Sequence, residues 1–154
     1  MFKTTKKRLV GLALALGVGA AGVVAGTEAA MSKTAFEAAQ DRIEAQAEAQ
    51  AKACARFKGH AKDLCRVQAR GWEKVAKAQL EAQHEPSPEA QKNVKFARAE
   101  ADHDVARRRC EPLKDRARDL CVERAKHERE AAIRLAKVEK VEEQRQAQRA
   151  APKS

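Results

Sequence analysis

The 154-residue chain has no tyrosine, and beyond residue 30 it has only two glycines, Gly59 and Gly71. Over the same stretch the only hydroxyl side chains are Ser32, Thr34, Ser87 and Ser154. None of these stands beside a histidine and carboxylate arranged to activate it, so no nucleophilic chemistry is expected. There is no glycine-rich phosphate loop, no Cys-x-x-Cys and no His-x-x-x-His. Without these spacings a nucleotide fold, a low-pKa redox pair and a zinc site are not expected. His60, His84, His103 and His127 are scattered and read as surface residues. Paired carboxylates such as Asp102 and Asp104 fall on different faces of a helix, so no acid–base pair is assembled. The reading is therefore of a non-enzyme with no cofactor and no resident metal.

Large apolar residues are also scarce. Of the 124 residues from Met31 onward, 19 are Val, Ile, Leu, Met, Phe or Trp, too few for a deep globular core. Ala, Glu, Lys, Leu and Arg make up 75 of the 124, the composition of long helices. No stretch alternates with the period of a strand.

The N-terminal segment, 1–30, differs from the rest. Lys3, Lys6, Lys7 and Arg8 precede an uncharged run from Leu9 to Gly26, followed by small residues around Ala25, Ala29 and Ala30. This order predicts a secretory signal peptide over 1–30. The alternative is an uncleaved inner-membrane anchor. It suits the run less well, because Gly11, Gly17, Gly19, Gly22 and Gly26 make a poor permanent helix. Beyond residue 30 there are 28 basic and 21 acidic residues, interleaved along every segment. The interleaving reads as solvated helix faces carrying i,i+4 pairs, such as Glu44 and Glu48 against Arg42 and Lys52. The densest basic cluster, Arg107, Arg108 and Arg109, is the candidate contact for an anionic polymer or lipid surface. Nucleic acid is not expected as a partner of an exported chain with no aromatics placed to stack on bases.

The chain contains an internal repeat, in which Cys54 and Cys65 return with their surroundings as Cys110 and Cys121. Residues 54–65 read CARFKGHAKDLC and residues 110–121 read CEPLKDRARDLC. Over 42–69 against 98–125, ten of 28 positions are identical. Each unit reads as helix, short turn, helix, so the predicted fold is all-α, two tandem antiparallel helical hairpins of coiled-coil-like character. The first hairpin spans 31–83, a proline-containing linker 84–88, the second hairpin 89–149, and a disordered tail 150–154.

Thr34 and Glu37 have the form of a capping box that would start the first helix near Ala35. Its stripe is Phe36, Ala39, Ile43 and Ala47. A break falls at Phe57-Lys58-Gly59-His60, with Gly59 and its repeat partner Asp115 as cap residues. The second helix should run from about 60 to 83 on a stripe of Leu64, Val67, Gly71, Val75, Ala78 and Ala82. Ser87-Pro88-Glu89 opens a third helix that should end near Cys110. A fourth should run from Asp115 to near Arg149, on a less regular stripe through Leu120, Ile133, Leu135, Val138 and Val141. Trp72, the single tryptophan, is expected to pack between helices, with partner docking as the alternative.

Cys54, Cys65, Cys110 and Cys121 form two Cys-x10-Cys pairs. An even count in an exported chain predicts disulfides. Helix rise puts Cys54 and Cys65 at similar height on either side of the turn, which favours Cys54–Cys65 and Cys110–Cys121, each stapling one hairpin near its turn. Two continuous helices joined as Cys54–Cys121 and Cys65–Cys110 would be the rival, disfavoured by Gly59 and Pro112. Thiols left free or holding a metal are the third arrangement.

The segments AKDLCRVQARGWEKVAKA (61–78) and ARAEADHDVARRRC (97–110) resemble small exported proteobacterial proteins with two Cys-x10-Cys helical units. The resemblance covers roughly residues 40–135. Members of that group often carry a Ser-Gly-Asn turn, where this chain has Lys-Gly-His and Lys-Asp-Arg. They have no characterised function and are often labelled as similar to the envelope protein TolA, whose globular C-terminal domain has no counterpart here. The export signal predicts a location in the periplasm or outside the cell. Together these features predict a structural or adaptor role in the cell envelope through helix–helix contacts, with an envelope protein as partner and self-association as a further option. The alternatives are an electrostatic binder of anionic envelope polymer or membrane surface, and a periplasmic metal or redox stress protein.

Overall fold

A computed structural model describes residues 31–151. The predicted signal segment and the end of the predicted tail, 152–154, lie outside the described residues. Four helices follow in chain order: α1 (Lys33–Ala53), α2 (Gly59–His84), α3 (Pro88–Cys110) and α4 (Asp115–Ala150). A short 3-10 turn, Cys54–Arg56, ends α1. No strand occurs among the described residues.

The ends of the helices have local causes. Ser32 caps α1, its Oγ accepting from the Ala35 N–H at 3.2 Å. The Thr34–Glu37 box is therefore not the cap. Serine two positions upstream satisfies the same orphan N–H groups and lets the helix begin earlier, and Glu37 pairs instead with Lys33. Ser87 caps α3 in the same way, through Ala90 at 3.0 Å, with Pro88 at the first helical position.

The two inner turns share one geometry. Phe57 N–H donates to the Cys54 carbonyl at 3.1 Å, and Leu113 N–H to the Cys110 carbonyl at 3.1 Å. Gly59 and Asp115 then take positive φ, 53° and 47°. Glycine enters this region without steric cost, and aspartate is among the few other residues that tolerate it. The sequence repeat is thus a structural repeat down to its left-handed residue.

Each helix packs antiparallel on the next, α1 on α2, α2 on α3 and α3 on α4. Among the described residues α1 packs on no other helix than α2, and α4 on none but α3. The result is an open row of four helices rather than two separate hairpins, with α2 and α3 in the middle. A middle helix must bury two opposite faces. On α2 the predicted stripe, with Val67, Gly71 and Ala82 buried, meets α3. A second face, with Ala69 and Leu80 buried and Cys65 bonded to Cys54, meets α1. Trp72 is half-buried, about a quarter turn from Gly71, between these two faces.

The stripe proposed for α4 points the wrong way. Leu120, Leu135, Val138 and Val141 are 57%, 59%, 53% and 43% exposed. The face against α3 is instead built on Ala125 and Ala136, with Ile133 half-buried. Alanines win because α3 offers Ala99 opposite them, and small residues let two backbones approach closely.

Ion pairs line the same seam. Arg129 donates from Nε to Glu100 at 2.8 Å, Lys95 reaches Glu139 at 2.8 Å, and Lys140 pairs with Glu89. The Arg129 guanidinium holds the Glu100 carboxyl below its ordinary value, against the opposing pull of burial. A depressed carboxylate stabilises the fold fully above its ordinary pKa, and this contribution is lost as pH falls through the lowered one. Acid titration followed by circular dichroism should show Arg129→Met flattening the stability loss below the ordinary carboxylate range. An unchanged acid limb in the variant would show that the pair does not contribute.

Candidate functional site

Because the helices alternate in direction, the α1–α2 and α3–α4 turns lie at the same end of the row. Both disulfides sit there. Cys54 bonds Cys65 and Cys110 bonds Cys121, each across a Cα separation of 5.7 Å. The intra-hairpin pairing is the one observed, and no cysteine is free. Cys54 and Cys110 are the largest fully buried side chains, so the staples act as the core of this end.

The stapled end is also where charge accumulates. Residues 54–66 and 107–121 contain ten basic and four acidic residues. Neither Lys58 nor Lys114, the caps of α2 and α4, offers a side-chain acceptor to the helix N-terminus. The positive ends of the α2 and α4 dipoles lie here beside the negative ends of α1 and α3, so the excess of basic side chains sets the potential. His60 of α2 stands 3.8 Å from Glu111 of the other turn.

Just below the turns, α2, α3 and α4 enclose a cleft of about 380 Å³. Val67, Gly71 and Val122 form its apolar floor, and Arg70, Lys74, Arg107, Arg108 and Arg118 its rim, with Asp104 and Glu111. Lys74 is matched to Asp104 at 3.8 Å and Arg108 to Glu111 at 2.7 Å. Arg70, Arg107 and Arg118 make no ion pair among the described residues and meet around one opening. No protein-family model, curated protein or solved structure matches the chain.

Of the three arginines singled out in sequence, the structure brings Arg107 and Arg108 to the cleft. Arg109 is exposed and does not line it. All three occupy the last turn of α3, where cations complement the helix dipole. Arg70 and Arg118 complete the rim and carry no local signal, since each is a single basic residue in a charged helix. Arg118 is the repeat counterpart of Lys62, which hints only that the position is basic in both units.

A second surface lies at the edge of the row. Leu120, Ala131, Val138 and Val141 lie on the side of α4 away from α3, and exposed Leu135 flanks them, lining a groove with Val94, Lys95 and Ala99 of α3. Among the described residues no helix is long and apolar enough to cross a membrane. Two closed disulfides are what an oxidising compartment maintains.

Proposed function

We propose that this chain is a non-enzymatic exported protein with a structural or adaptor role in the bacterial cell envelope, acting through helix–helix contacts. The observation that carries this reading is the outward apolar row on α4. An edge helix needs one apolar face, and α4 carries a second that is exposed. The second face sits where a further helix would continue the row. The signal-like segment 1–30 and the paired cysteines support export to the periplasm.

Leu135→Glu combined with Val138→Glu should leave the melting temperature nearly unchanged, because both positions are exposed. A photo-crosslinker at position 135 or 138, in protein recovered from the envelope fraction, should give a discrete adduct that survives raised salt. A crosslinker at exposed Lys114 should not give it. Absence of any adduct from either apolar position would end the adaptor reading.

The second reading, binding of an anionic envelope polymer or membrane surface, is supported by the excess of cations at the stapled end. It predicts association that weakens steeply with salt. A metal or redox stress role would need reduced thiols, and all four cysteines are paired here.

A further inference from the structure

We infer that the cleft between α2, α3 and α4 is a discrete binding site for a compact, phosphate-bearing polyanion. This narrows the second reading above, and rests on it only in requiring an anionic ligand. Three observations converge. The first is shape, since about 380 Å³ falls in the range of about 300–1,000 Å³ typical of small-ligand pockets. The second is charge. Arg70, Arg107 and Arg118 come from three different helices, yet no carboxylate of the rim is committed to them. Like charges gathered without a counter-ion oppose folding, and Arg118, one turn from the start of α4, is also set against the helix dipole. An anion seated among them relieves both costs at once.

The third observation is geometry. A planar carboxylate engages one guanidinium side-on. A tetrahedral phosphate presents oxygens in several directions and suits guanidinium groups arriving from three helices. Val67, Gly71 and Val122 provide a floor without competing acceptors. Asp104 and Glu111 stay engaged by Lys74 and Arg108. The ligand is therefore one or two linked phosphates rather than a neutral or singly charged group.

The test uses the mature protein with both disulfides intact and inorganic pyrophosphate as the probe. Calorimetry reads the binding directly. Saturable one-to-one binding is expected, weakened at least tenfold by Arg70→Ala and by Arg118→Ala. Arg116→Ala removes the same charge at an exposed position outside the cleft and should change affinity less than twofold. Equal losses in all three variants, or no saturable binding by the wild type, would overturn the inference. Polyphosphate, run in parallel, separates the two failures. If it binds while pyrophosphate does not, the cleft site falls and general polyanion binding stands; if neither binds, both fall. Vesicles containing phosphatidic acid distinguish the ligand's source. Binding displaced by pyrophosphate assigns a lipid headgroup to the cleft, and pyrophosphate binding without vesicle binding assigns a free phosphate compound.

Discussion

Replacing Cys110 and Cys121 together by alanine is expected to lower the melting temperature by roughly 10 °C or more. The reason lies in how little else holds α4. It packs on α3 alone, through Ala125, Ala136 and a half-buried Ile133, while its larger apolar residues face outward. Alanine burial contributes much less than the roughly 1.5–3 kcal/mol of a buried leucine. The ion pairs along the seam are partly exposed and individually weak. A disulfide closing a short loop typically contributes about 2–4 kcal/mol, and in a chain of this size each kcal/mol moves the midpoint by several degrees. The loss should also be local at first. Hydrogen exchange should show α4 amides losing protection while the α1–α2 hairpin, with its own staple, keeps it. Removing Cys54 and Cys65 should reverse the pattern and release α1. Variants that melt like the wild type, with unchanged exchange in α4, would show that packing alone holds the row.

The sequence shows where the helices are more clearly than how they pack. The breaks at Gly59, at Pro86 through Pro88 and at Pro112 through Asp115 are local chemistry, and α2, α3 and α4 begin within one position of their predicted starts. The disulfide pairing is legible too, because it follows from rise per residue across a known turn. The row itself is not. A single apolar stripe describes one face, whereas α2 and α3 each bury two opposite faces, and on α3 the two patterns largely cancel. On α4 the same search picks out Leu120, Leu135, Val138 and Val141 because they are large. The alanines at 125 and 136, which do the packing, are indistinguishable in sequence from alanines on solvated faces. The cleft is hidden for a related reason. Its arginines lie at positions 70, 107 and 118, and only the α2–α3 contact, made across the proline turn, brings the first to the other two.

That contact is tested at Gly71, where Leu is expected to separate the two halves of the row. Glycine inside a helix is less favourable than alanine by about 1 kcal/mol, so its presence at mid-helix needs a reason. A Cβ built on Gly71 would lie 3.0 Å from the Ala101 Cβ, closer than methyl groups pack, and neither atom can swing away. Gly71→Ala should therefore be close to neutral, the helix gain offset by the crowding. Gly71→Leu adds volume where no space exists and should cost about 1–3 kcal/mol or more. Each hairpin keeps its disulfide, so helical content should persist while the melt broadens, and chemical crosslinks between α2 and α3 should disappear. Pyrophosphate binding should fall with them, because Val67, Arg70 and Gly71 would be drawn away from Asp104, Arg107 and Arg108. Exchanging the pair, Gly71→Ala with Ala101→Gly, moves one methyl from α3 to α2 and keeps the volume of the interface. Recovery of a single sharp transition in that double variant, next to its loss in Gly71→Leu, would identify close approach at this one point as the contact that makes two stapled hairpins a single row.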